Sequence, residues 1–245
     1  MARSPRKLVV VGVRRTGVPE LSAVAVAPDG RIFVADDEHG IGELPPRGKV
    51  RFLGTGAING LEGLAVGGGA LYAVSENRRR VFRLPLLAGG VGPSEDLGKL
   101  PKAGKKKGKG WEGLAWLPAA QNVEKRDRLV LVNEDKPRCV GLFDPGDIDD
   151  HVLLDLPDEI ADQLDDLSDV AVEPRTGDLF LLSHESSAIG VAALVRTRRE
   201  LALETRAVLP LPVRDAQSEG LVFDRRGRLL LASELGGTLH VLAMR

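Results

Sequence analysis

The sequence predicts an all-β chain folded as a five-bladed β-propeller, closed by pairing its N-terminal strand into the last blade. Three observations carry that prediction. One motif recurs five times, the copies are almost evenly spaced, and the two chain ends together complete the fifth unit.

The copies are ELSAVAVAPDGRIFVADD (20–37), LEGLAVGGGALYAVSE (61–76), WEGLAWLPAAQNVEKRDRLVLVNED (111–135), DLSDVAVEPRTGDLFLLSHE (166–185) and SEGLVFDRRGRLLLASE (218–234). Val24, Leu64, Leu114, Val170 and Leu221 are equivalent, at successive spacings of 40, 50, 56 and 51 residues. Each copy reads as a hairpin of two short apolar strands. Pro28-Asp29-Gly30, Gly67-Gly68-Gly69, Arg175-Thr176-Gly177-Asp178 and Arg225-Arg226-Gly227 supply the turn chemistry.

Third strands are expected at 79–86, 138–144, 188–195 and 237–244, and fourth strands at 49–56 and 151–157. The fifth unit ends after its third strand, whereas KLVVVGVRR (7–15) has no unit of its own and is assigned to the last blade. The blades then span about 20–56, 58–101, 110–157, 164–210, and 216–245 plus 7–15, within a single domain of 245 residues. Such closure removes exposed sheet edges, and a β-sandwich does not explain five copies of one motif.

Bulk composition narrows the function. The 34 basic and 35 acidic residues nearly cancel, which argues against a nucleic-acid-binding protein. The one cysteine, Cys139, allows no internal disulfide. No apolar run is long enough for a membrane span, so the chain as given is expected in the cytoplasm. A longer precursor with an N-terminal anchor or export signal is left open.

Propeller geometry gives the repeated acids a purpose. Residues just before the first strand and just after the second share one face, around one mouth of the central channel. The leading positions are Ser22, Glu62, Glu112, Ser168 and Glu219, with Glu20 and Asp166 two residues before the serines. The trailing positions are Asp36-Asp37, Ser75-Glu76, Asn133-Glu134, Ser183-His184 and Ser233-Glu234. Crowded carboxylates repel one another unless a cation compensates. Hard oxygen donors without paired His or Cys suit Ca2+ best, ahead of Mg2+ or Mn2+. The candidate ligands are Glu62, Glu112, Glu219, Glu76, Glu134, Glu234, Asp37 and Asp166.

The order Leu-Glu-Gly-Leu, Trp-Glu-Gly-Leu-Ala-Trp, Asp-Leu-Ser-Asp-Val-Ala-Val-Glu-Pro-Arg-Thr-Gly and Ser-Glu-Gly-Leu-Val-Phe-Asp resembles the SdiA-regulated family of bacterial proteins, over about residues 18–243. The resemblance implies a five-bladed, distantly NHL-repeat-like propeller with a bound calcium ion and no assigned activity. Two positions depart from the family pattern: His184 stands where an acid is expected and Asp169 where Gly is expected.

Recognised catalytic motifs are lacking: there is no Gly-x-Ser-x-Gly, His-Glu-x-x-His or Cys-x-x-Cys. His184 is the one weak catalytic candidate, as a general base at the rim. The lysine-rich KAGKKKGKG (102–110) runs into the mouth beside Trp111, so Lys109 and Trp111 are candidate ligand-binding residues, and Trp116 is assigned to the core. Two functions follow. One is a calcium-binding module that binds a small molecule or protein at the mouth. The other is a metal-dependent hydrolase of a lactone, ester or phosphoester using the same site.

Overall fold

The structure, a computed structural model, describes residues 7–54, 58–102, 110–134, 136–198, 200–213 and 217–245. It is a five-bladed β-propeller built from five antiparallel sheets. Strand β1 (Leu8–Arg15) comes first in the chain and is the outer strand of the last sheet. Blade 1 contains β2 (Leu21–Val26), β3 (Ile32–Asp36), β4 (Gly40–Leu44) and β5 (Arg51–Phe52). Blade 2 contains β6 (Leu61–Gly67), β7 (Ala70–Ser75), β8 (Arg80–Leu87), the short β9 (Gly90–Val91) and β10 (Glu95–Lys99).

Blade 3 runs through β11 (Trp111–Leu117), β12 (Arg128–Asn133), β13 (Cys139–Asp144) and β14 (Asp147–Asp155). Blade 4 runs through β15 (Asp169–Val172), β16 (Leu179–Ser183), β17 (Ala188–Arg196) and β18 (Leu201–Pro210). Blade 5 consists of β19 (Ser218–Phe223), β20 (Leu229–Ser233) and β21 (Thr238–Met244), with β1 paired antiparallel to β21 from Leu8↔Met244 to Arg15↔Thr238. Among the described residues no helix is long and apolar enough to cross a membrane.

The core explains why these segments become strands. Among the described residues it divides into five apolar clusters, each lying between two neighbouring blades. The cluster of Val18, Leu21, Val24, Leu230 and Leu239 joins blade 5 to blade 1 and makes the arrangement a ring. Inner strands β2, β6, β11, β15 and β19 pack on one another in turn, with β19 back against β2. Wedged between sheets, they are buried on both faces, whereas the outer strand β14 buries only Ile148 and Leu154.

Fourth strands are less regular than the sequence suggests. Of the expected strand at 49–56, only Arg51 and Phe52 pair, with Glu43 and Gly42, and residues 55–57 lie outside the described residues. The third strand of blade 1, GIGEL, has two glycines in five residues and carries little strand signal.

Glycine placement makes the ring tight. A Cβ on Gly63 would lie 2.5 Å from the Glu112 carbonyl oxygen, and one on Gly113 would lie 2.3 Å from the Asp169 Cα. On Gly220 it would meet the Val24 amide nitrogen at 3.0 Å. The Gly after each channel glutamate is therefore where one inner strand's backbone passes against the next.

Candidate functional site

Local strand irregularity aims the glutamates. In β6, Leu61 pairs with Ser75 and Gly63 with Val74, so Glu62 is an extra, unopposed residue. Glu219 is extra in the same way between Ser218 and Gly220, and a bulge between Trp111 and Leu114 contains Glu112. A bulge breaks strict alternation and re-aims one side chain. Each of these three residues is the second position of its strand and is partly exposed between two buried neighbours.

Together they line a cavity of about 200 Å³ at the channel mouth. Its walls are Glu20, Ser22, Asp37, Glu62, Glu112, Glu134, His184, Glu219 and Glu234. Six of the expected ligands thus face one opening. Glu76 reaches the same region: Glu76, Glu112 and Glu134 each offer an oxygen, all within 4.8 Å of one another.

The two serine positions behave differently. Ser22 Oγ donates to the Leu61 carbonyl at 2.6 Å, and Ser168 Oγ donates to the Ser218 carbonyl at 3.0 Å. Each hydroxyl staples its blade to the next inner strand. Asp36 is also spent locally, accepting from the amides of Glu38 and His39 and from the His39 ring.

Electrostatics in the opening follow from carboxyl crowding against a single lining counter-charge, His184, among the described residues. Burial, then the charges of Asp37 and Glu76, push Glu62 up to about 8. Glu112 is pushed up furthest, by burial, the charges of Glu134 and Glu62, and a hydrogen bond shared with Glu134. Burial raises Glu219 to about 6, with His184 pulling it back. Asp37 is raised by burial, and among the described residues its Oδ1 is buried with no hydrogen-bond partner.

Blade 4 departs from the others. His184 Nδ1 lies 2.8 Å from Asp166 Oδ2 and 3.6 Å from Glu219 Oε1. The Asp166 contact is the closer of the two and pairs the ring with a carboxylate. Asp166, then Glu219, raise His184 to about 9. Burial alone would raise Asp166, but His184 and Ser183 outweigh it and hold the carboxyl low. Its Oδ1 accepts from Ser183 Oγ and the Glu185 amide. Asp166 therefore does not line the cavity, and sits behind His184 instead.

Two further expectations fall elsewhere. Trp111 is no ligand platform: it is fully buried, edge-on to Phe143, with Nε1 donating to the Pro101 carbonyl at 2.8 Å. Trp116, expected in the core, is half-buried at the opposite end of the channel. Lys109 lies outside the described residues.

Asp169 was visible in the sequence only as a misplaced residue. Its fully buried carboxyl accepts the Leu114 amide of blade 3 on Oδ1 at 3.1 Å and the Leu221 amide of blade 5 on Oδ2. Full burial pushes this carboxyl well above its ordinary range, against the pull of those amides.

A family model described as SdiA-regulated matches residues 12–236. No curated protein matches the chain in sequence. Among solved structures, the glutaminyl cyclase of Myxococcus xanthus is similar with a TM-score of 0.66 and 14% identity, over 98% of this chain and 97% of that one. The calcium structure of the Trichoderma reesei family AA12 enzyme gives 0.55 and 12%, over 99% and 96%. The PQQ-bound aldose sugar dehydrogenase of Streptomyces coelicolor gives 0.55 and 13%, over 94% and 79%. At such identities the likeness is one of fold.

Proposed function

The chain belongs to the SdiA-regulated family, and on that premise we propose that it is a calcium-binding propeller whose acidic mouth works as a binding module. The observation that carries this reading is the cluster of Glu76, Glu112 and Glu134 oxygens within 4.8 Å of one another. Oxygens bound to Ca2+ at 2.3–2.6 Å can be at most roughly twice that distance apart, so this spacing suits one shared ion. The donor set is all oxygen, which favours Ca2+ over softer metals. Glu62, Glu219, Glu234 and Asp37 would complete or surround the sphere, and the ion would supply the positive charge that these raised carboxyls lack.

His184 has a distinct part in this account. Its imidazolium, held by Asp166 and Glu219, is an internal counter-charge where blade 4 has no acid to offer. The hydrolase alternative would use His184 as a base, and those same neighbours favour its protonated form at neutral pH. The partner at the mouth is a small molecule or protein segment that meets the ion and the glutamate rim. The pairing of β1 with β21 is read as the closure that keeps the ring, and hence the spacing of these glutamates, fixed.

Repulsion and binding are separable by neutral replacement. The double variant Glu112→Gln, Glu134→Gln is expected to melt above the wild type in EDTA, because a crowded carboxyl pair is replaced by two neutral amides. It is also expected to lose its response to Ca2+. A variant that still gains stability on adding Ca2+, as the wild type does, would sink the assignment.

A further inference from the structure

The opposite end of the channel carries a second, chemically different hollow. A well of about 250 Å³ is lined by Val26, Val66, Trp116, Val172 and Phe223, with Arg225 at its edge. Trp116 forms a fixed wall: it stacks on Tyr72 with ring centroids 5.5 Å apart, and a Cβ on Gly67 would lie 2.0 Å from its Cδ2. Val26, Asp224 and Arg225 also line the adjoining groove between blades 5 and 1, whose cavity is about 840 Å³.

That groove is over-supplied with arginine. Arg14, Arg31, Arg225, Arg226 and Arg228 line it against only three acids, Asp29, Glu43 and Asp224. Each acid is already taken: Asp29 by Arg31 at 2.8 Å, Glu43 by Arg51 at 2.8 Å, and Asp224 by Arg228 at 2.7 Å. Arg14 donates to the Pro45 carbonyl. Among the described residues, Arg225 and Arg226 have no carboxylate partner, and Arg225 lies over Gly30 of blade 1, where an added Cβ would meet its guanidinium at 3.4 Å. Unpaired guanidinium groups beside an apolar, aromatic-walled well fit a ligand with an anionic head and an apolar body.

We propose that this face binds a small amphipathic carboxylate, with the carboxylate on Arg225 and Arg226 and the apolar chain in the well beside Trp116. The site lies across the channel from the acidic mouth and does not depend on the cation there.

Octanoate is a suitable probe, and the protein carries its own reporter. Trp111 is fully buried in the core, so an emission change on binding belongs to Trp116, and Trp116→Phe should abolish it. Octanoate is expected to shift that emission saturably, and Arg225→Ala with Arg226→Ala, both exposed on a hairpin, to weaken binding about tenfold or more. Octanol and octyltrimethylammonium should bind more weakly than octanoate. An unchanged emission and no binding heat with octanoate would overturn the proposal. So would equal binding of the three probes, or an undiminished affinity in the double arginine variant.

Discussion

Saturating the dialysed protein with Ca2+ is expected to raise its melting temperature by about 5–10 °C at pH 8, and by much less at pH 5. Free Ca2+ at a hundred times its dissociation constant adds about 2.7 kcal/mol, and a chain of this size gains roughly 2–4 °C per kcal/mol. The pH dependence comes from the carboxyls that burial raises, with Glu219 at about 6 and Glu62 at about 8. In the unfolded chain these glutamates ionise near 4.5. Between that value and their folded values the native state holds more protons, so metal-free stability falls as pH rises.

His184 acts in the same direction. Its stabilising pair with Asp166 is fully present below the unfolded value of 6.5 and is lost as pH rises through about 9. Calcium competes with protons for the same oxygens, so the stabilisation it gives grows with pH. Differential scanning fluorimetry with EDTA or Ca2+ at both pH values reads the effect. Equal shifts at pH 5 and pH 8, or none at either, would remove the electrostatic account of the mouth.

Replacing Asp169 with Ala is expected to destabilise the protein by about 2–6 kcal/mol, independently of calcium. Asp169 stitches three blades by accepting the amides of Leu114 and Leu221. Its loss strands two buried N–H donors, each costing about 1–3 kcal/mol. Asparagine does not rescue it, since its NH2 group would face one of those donors with no oxygen to offer. Urea denaturation measures the change. A variant within about 1 kcal/mol of wild type would show that water or backbone movement takes over both amides.

The blade count was legible because each inner strand is buried on both faces and repeats one short pattern, from LSAVAV to SEGLVF. The three channel glutamates were legible for the same reason. The difference between Glu and Ser at that position was not, because whether a side chain turns into the opening or back to the next blade depends on the neighbouring strand. Ser22 reaches the Leu61 carbonyl only because β6 passes beside it. Asp166 looked like a substitute ligand until His184 took its second oxygen.

The two tryptophans of β11 show the same limit. Trp111 and Trp116 lie at opposite ends of one strand with a bulge between them. The bulge resets which face each residue takes, and a bulge cannot be read from hydrophobic alternation. Trp111 falls between blades 2 and 3, where the Pro101 carbonyl satisfies its indole nitrogen. Trp116 falls against Gly67 and faces the far well.

A calorimetric Ca2+ isotherm on exhaustively dialysed protein at pH 7.5 tests the calcium assignment most directly. One ion per chain is expected, with a dissociation constant below about 10⁻⁴ M, in the range of all-oxygen carboxylate sites. Absence of saturable binding up to about 1 mM Ca2+, the weak end of the range of such sites, would contradict it.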